Sequence, residues 1–232
     1  GVTAALLPPL FAELPEVWAA VWPHDQPWLA LGGPLDGILE GLPAERIEAP
    51  LQPEVHLAGD RIVIGRGARI APGATLHGPL YVGADVEIRA GAFVRGGVWI
   101  GDGCVVGANT EVKRSILLPG AKAPHLNYVG DSILGRGVNL GAGTVLSNFR
   151  HDGGEIRIAT ADGGAVATGR RKLGAVLGDE VKTGCNSVLH PGVVVGRGTE
   201  IYPLVQLRSG IVAADSIVKL RQELEIVARK TG

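Results

Sequence analysis

Aliphatic side chains recur at every sixth position through the middle of the chain: Ile64, Ile70, Leu76, Val82, Ile88, Val94, Ile100, Val106, Val112 and Leu118. Four residues on come small or aliphatic side chains, as at Ala68, Ala74, Val86, Ala92, Val98, Cys104 and Thr110, with glycines between. A period of six fits neither an amphipathic helix nor an alternating strand. It fits a hexapeptide solenoid, in which each unit makes one short strand and one turn with the aliphatic inward. Glycine supplies the positive φ that tight corners need. Three units close a coil of triangular section, so the pattern predicts an all-β solenoid, the left-handed parallel β-helix, over residues 53–214. That hand departs from the usual right-handed crossover and rests on the hexapeptide signature.

The flanks are of different material. Residues 1–52 hold Trp18, Trp22 and Trp28 among prolines, with Phe11, Leu14, Trp18 and Trp22 at helical spacing. They predict a short helical N-terminal segment packed on the first coil, whose core is otherwise open. Over residues 215–232, Ile217, Leu220, Leu224 and Val227 share one helical face behind Asp215 or Ser216 as a cap. That predicts a C-terminal helix, a lid on the last coil or a subunit contact.

The count of six fails twice. From Leu118 the next two beats fall on Pro124 and Gly130, and the phase resumes at Leu134, Leu140 and Leu146. A second gap separates Leu146 from Leu177, after which Thr183, Leu189, Val195, Ile201 and Leu207 continue. Within it, "EIRIATADGGAVATG" reads as two short strands about Asp162-Gly163-Gly164, a hairpin leaving the solenoid near 153–172. Local departures from a consistent pattern mark candidate functional ground. The first gap contains "APHLNYVGD", and His125 alone of the six histidines lies there. A neutral imidazole can take the proton of an amine or hydroxyl attacking a thioester, assistance of about 10²–10⁴-fold. A surface-loop histidine is the other reading of the same residue.

Composition adds bounds. The 232 residues suit one or two domains, and an aromatic content of 4% with 36 glycines suits a solenoid. A formal net charge of −1 argues against a general nucleic-acid binder. An anion site therefore has to be local, and "GRRK" at 169–172 is the densest cationic run. No stretch of about 18 apolar residues is present, and the apolar start lacks a basic leader. The expectation is a cytoplasmic protein without a signal peptide. Cys104 and Cys185 are too few for a disulfide framework, and Cys104 takes an inward position.

The run "KAPHLNYVGDSILGRGVNLGAGTVLSN", residues 122–148, resembles the acetyltransferase domain of bacterial bifunctional N-acetylglucosamine-1-phosphate uridyltransferase/glucosamine-1-phosphate acetyltransferase. The later "NFRHDGGEIRI" and "TGRRKLGAVLGDEVKTGCNSVLHPG" are similar to the C-terminal solenoids of archaeal-type sugar-1-phosphate nucleotidyltransferases. The resemblance covers roughly residues 60–212. It implies an acetyl-CoA-dependent N-acetyltransferase of an amino-sugar 1-phosphate, a homotrimer with active sites between neighbouring solenoids, and no metal requirement. His125 would be the general base, Asn148 would position the amine or the acetyl group, and the backbone about Ala142 would face the thioester as oxyanion donor. Arg95, Lys113, Tyr128 and Asn139 would contact the acceptor. Acetyl-CoA would run beside Ala142, Cys185 and Arg208.

The departures are specific. Phe149 follows Asn148 where the bacterial motif has tyrosine, and Gly154 stands near a family lysine whose charge Arg157 or Lys172 would supply. Residues 1–52 are too short for a nucleotidyltransferase domain, so uridyl transfer is not expected of this chain as given. Two other classes stay open: a non-catalytic sugar-phosphate or CoA-binding module associated with a nucleotidyltransferase, and a zinc hydratase with three converging imidazoles. His125, His151 and His190 show no paired spacing for the latter.

Overall fold

The structure, a computed structural model, describes residues 6–229. Short strands wind into three parallel sheets of nine, eight and eight strands, each coil visiting the three in turn. Ile62–Ile64, Arg69–Ile70 and Thr75–His77 make up one such circuit, in sheets one, two and three respectively. This is the parallel β-solenoid that a six-residue period demands. Ile64, Ile70, Leu76, Val82, Ile88 and Val94 all lie in the central core at 5% exposure or less. No helix among the described residues is long and apolar enough to cross a membrane.

The first failure of the count is a slip and not a gap. Early coils advance by eighteen residues, Ile64 lying opposite Val82 and Val82 opposite Ile100. The next two advance by seventeen, Ile100 opposite Leu117 and Leu117 opposite Leu134. The inward residues are therefore Leu117, Ala123 and Val129, and the beats expected at Leu118, Pro124 and Gly130 are each one residue late. Leu118 points outward into a second apolar cluster. Each residue is lost at the corner between sheets three and one, where Arg114 and Asp131 hold φ of 44° and 45°. The second failure is an excursion. Its strands Arg157–Ala159 and Ala165–Ala167 pair antiparallel before Ala175–Leu177 rejoins sheet one.

The outward positions of sheet one explain the flanks. Val63, Tyr81, Trp99, Ile116, Ile133, Val176, Val194 and Ile211 form one apolar file along it. Such a file has to be covered, and two parts of the chain cover it. Ile156, Ile158 and Leu173 of the excursion join it, as do Leu10, Trp18, Trp22, Trp28, Leu31, Leu35 and Leu39 of the N-terminal segment. The expectation that this segment caps the first coil is corrected. Residues 6–44 run lengthwise as a strap, from Pro9 and Leu10, whose carbonyls accept from Arg197 and Asp179, to Glu40 and Leu42, whose carbonyls accept from Arg61. The open end of the first coil is filled by Ala49, with Ile47 and Leu51 packed against it. The helix expected at 11–22 shrinks to Glu16–Ala19, and Gly33–Glu40 forms a second.

The C-terminal helix is likewise corrected. Ile217–Val218 pair with Glu200–Ile201 as a further strand of sheet two, and residues 219–229 hold no regular structure. A helix of about 12–15 residues is marginal without a surface to bury its apolar face. Here Leu220, Leu224 and Val227 stay 51%, 77% and 71% exposed.

Candidate active site

His125 ends the strand Lys122–His125, at the corner between sheets two and three. The corner is held from inside by Asn127, 3% exposed. Its Oδ1 accepts from the His125 N–H at 3.0 Å, and its Nδ2 donates to the carbonyls of Gly141 at 2.9 Å and Thr144 at 3.3 Å. Leu126 takes up the turn at φ 51°. The imidazole is exposed and has no hydrogen-bond partner among the described residues.

The same corner repeats on the following coils. Gly143 N–H donates to the His125 carbonyl, and Asn186 N–H to that of Ala142, so His125, Ala142 and Cys185 succeed one another along it. Gly141 permits the close stacking, since a Cβ there would lie 2.6 Å from the Thr183 carbonyl oxygen. The N–H groups of Ala142 and Cys185 make no hydrogen bond among the described residues. The file thus offers an imidazole followed by two unused amide donors.

Across sheet three lies a polar cluster. Tyr128 stands opposite Glu111 on one side and Val145 on the other. Its hydroxyl donates to Asn148 Oδ1 at 3.3 Å. Asn148 Nδ2 donates to Asp131 Oδ2 at 2.6 Å, and Lys113 Nζ donates to the same oxygen at 3.0 Å. Arg95 Nη1 pairs with Glu111 Oε1 at 2.8 Å. Gly130 leaves room for this meeting, for a Cβ there would stand 2.6 Å from the Tyr128 hydroxyl. Burial, then Glu111 and Asp131, push the Tyr128 phenol above its ordinary value, so it stays a donor. Beside Asn148 an open cavity of 420 Å³ extends between Ser147, Phe149, His151 and His190.

Of the residues singled out in the sequence, Arg95, Lys113, Tyr128 and Asn148 are brought together here, and His125, Ala142 and Cys185 share the corner. The others stand apart within the protomer. Asn139 faces outward on sheet two between Lys122 and Lys182. Arg157 lies on the excursion over sheet one, where its carbonyl accepts from Ser209 Oγ. Arg208 is exposed just past Gln206–Leu207 on sheet three, so it does not share the Cys185 corner. Lys172 bridges to Phe149 beside the Asn148 backbone, with its side chain exposed.

"GRRK" spends its guanidinium Nε groups on its own loop, Arg170 donating to the Lys172 carbonyl and Arg171 to that of Gly153. Burial depresses the Arg170 guanidinium, while the Asp131 charge opposes it. Glu111, Asn127 and Asp131 were not assigned roles from the sequence. Their partners lie on other coils or on the far side of a turn, and the one signal was position: each falls within a few residues of a residue singled out. Among the described residues no group of three or more His, Cys, Asp and Glu side chains could hold a metal ion.

Comparison with known proteins bears on the same stretch. Residues 76–186 match the family model of the GMPPB C-terminal domain. The resemblance seen in the sequence therefore holds where the corner and the cluster lie. A bifunctional sugar-1-phosphate nucleotidylyltransferase/acetyltransferase of Sulfurisphaera tokodaii is 47% identical over 98 residues, 42% of this chain and 24% of that protein. The bifunctional protein GlmU of a Synechococcus strain is 34% identical over 166 residues, 65% of this chain and 32% of that protein. The chain thus spans about a quarter to a third of these relatives. Among solved structures, a mutant of AntD, an N-acyltransferase from Bacillus cereus with dTDP and coenzyme A, aligns over 75% of this chain and 84% of its own. At 18% identity and a TM-score of 0.41, that likeness has no bearing on function.

Proposed function

We propose that this chain is an acetyl-CoA-dependent N-acetyltransferase of an amino-sugar 1-phosphate, working by direct transfer with His125 as general base. The observation that carries the reading is the corner file: an unpartnered imidazole at His125, then unused amide donors at Ala142 and Cys185. The match of residues 76–186, and relatives whose names include acetyl transfer and sugar 1-phosphates, support it.

In this reading the acceptor amine attacks the thioester carbonyl carbon, and His125 takes the proton from its nitrogen. Charge developing on the carbonyl oxygen meets the Ala142 N–H. The C–S bond then breaks, and the imidazolium returns the proton to the leaving thiolate. Asn148 Oδ1 and the Tyr128 hydroxyl hold the acceptor. The two cations near the cluster are each tied to a carboxylate, so the sugar phosphate takes up only the N–H groups that Lys113 and Arg95 have left. The strap leaves sheets two and three bare for neighbouring copies, which suits a homotrimer with Asn139 or Lys172 supplied across the interface.

Thiol release from acetyl-CoA with glucosamine 1-phosphate and galactosamine 1-phosphate, wild type against His125→Ala, tests this. A fall of about 10²-fold or more in the variant is expected. Release unchanged by the variant would remove His125 from the role. Coenzyme A binding with no release for either sugar would leave the non-catalytic module.

A further inference from the structure

Asp131 is 1% exposed, yet the two partners of its carboxylate are Lys113 and Asn148, both facing the candidate acceptor site. The corner it occupies does not need an acid. Its backbone is already tied, N–H to the Lys113 carbonyl at 2.9 Å and carbonyl to the Gly174 N–H at 2.8 Å. Arg114 holds the equivalent corner one coil earlier at nearly the same φ, 44° against 45°. Burying a carboxylate is costly unless its charge is matched and its lone pairs are filled. Here a cation matches the charge, and it meets the carboxylate together with a carboxamide at Oδ2.

A free carboxamide can present either its oxygen or its NH₂ to a ligand, and only its partners decide which. An ionised carboxylate accepts and cannot donate. Asp131 therefore requires Nδ2 of Asn148 on its own side, and the Tyr128 hydroxyl donates to the Oδ1 that remains. We infer that Asp131 is a positioning residue of the acceptor site: it fixes the Asn148 carboxamide with Oδ1 outward and anchors the Lys113 ammonium, so that an amine and an anion are met by an acceptor and a cation in set places. The chemistry rests on the acyltransferase reading above; the geometry does not.

The test is Asp131→Asn in the full chain, read in two ways. In kinetics, KM for the amino-sugar phosphate rises and kcat falls, together about tenfold or more, the size expected for a hydrogen bond to a charged group. KM for acetyl-CoA stays near wild type, whereas the melting temperature falls, since the variant leaves the largely buried Lys113 ammonium without its counter-charge. In ¹⁵N-asparagine-labelled protein, with the Asn148 side-chain signals assigned by their loss in Asn148→Ser, exchange of the Asn148 amide protons with solvent speeds up in Asp131→Asn. Wild-type kinetics with unchanged exchange would overturn the inference. So would an equal loss toward both substrates, the mark of a merely structural residue. Absence of turnover in the wild type would remove the acyltransferase reading, and the amide exchange alone would then decide Asp131.

Discussion

The hydroxyl of Tyr128 and the carboxamide oxygen of Asn148 meet 3.3 Å apart across consecutive coils, although twenty residues separate them in sequence. Removing the hydroxyl leaves the Asn148 carboxamide, among the described residues, with Asp131 as its remaining partner. Tyr128→Phe is expected to raise KM for the acceptor about 3- to 10-fold, the value of one neutral hydrogen bond, with KM for acetyl-CoA unchanged. Steady-state kinetics with each substrate varied in turn checks it.

The same phenol sets a pH dependence. Its folded pKa lies above the ordinary value, chiefly through burial. Its contribution to stability is therefore complete below about pH 10 and declines as pH rises through the folded value. Denaturant unfolding from pH 8 to 11 should show wild type losing stability relative to Tyr128→Phe only above about pH 10.

Gly130 offers a sharper probe of the cluster. The Cβ of Gly130→Ala would stand 2.6 Å from the Tyr128 hydroxyl and 2.7 Å from Asn148 Nδ2. Both are side-chain ends that can swing outward, so the coil survives while their hydrogen bonds break. About tenfold or greater loss of kcat/KM is expected, with a melting temperature close to wild type. An active variant would show that the pair does not serve the acceptor.

The two thiols should behave oppositely. Burial pushes Cys104 up to about 12, and Cys185 is exposed on the corner beyond Ala142. The thiolate is the reactive form, so a thiol reagent should modify Cys185 in the native protein and Cys104 only after unfolding. Coenzyme A should slow the labelling of Cys185 if it lies along this corner. Labelling rates unaffected by coenzyme A would place it elsewhere.

Trp18 meets Trp99 edge-on, ring centroids 5.7 Å apart, in the seam between strap and sheet one. Trp18→Ala is expected to cost about 3–5 kcal/mol, as large aromatic truncations in cores do. Urea unfolding measures it.

The solenoid was legible because its inward side chains recur at every sixth residue from Ile64 to Val112, a period that fits neither an amphipathic helix nor an alternating strand. The slip was not. At Leu117–Leu118 the count selects Leu118, and pairing with Ile100 shows that Leu117, five residues after Val112, is the one inside. The strap was half legible: its tryptophans announced burial, but the surface that buries them is a file of residues spaced a coil apart. The C-terminal segment has a helical face in its sequence, and among the described residues nothing buries it. In the site, His125 stood out as the lone imidazole of an irregular stretch, whereas Glu111 and Asp131 looked like ordinary charged corners. Stacking turned them into partners of Arg95, Lys113 and Asn148.

A stack of coils is by nature a zipper, able to fray from either end one rung at a time. The strap changes that. One stretch of backbone is fastened to Arg197 near one end, to Arg114 midway through Asp36, and to Arg61 near the other. Loosening any rung now strains a belt that the distant rungs also hold. The molecule should come apart all at once, and one cut in the belt should give the zipper back its loose ends.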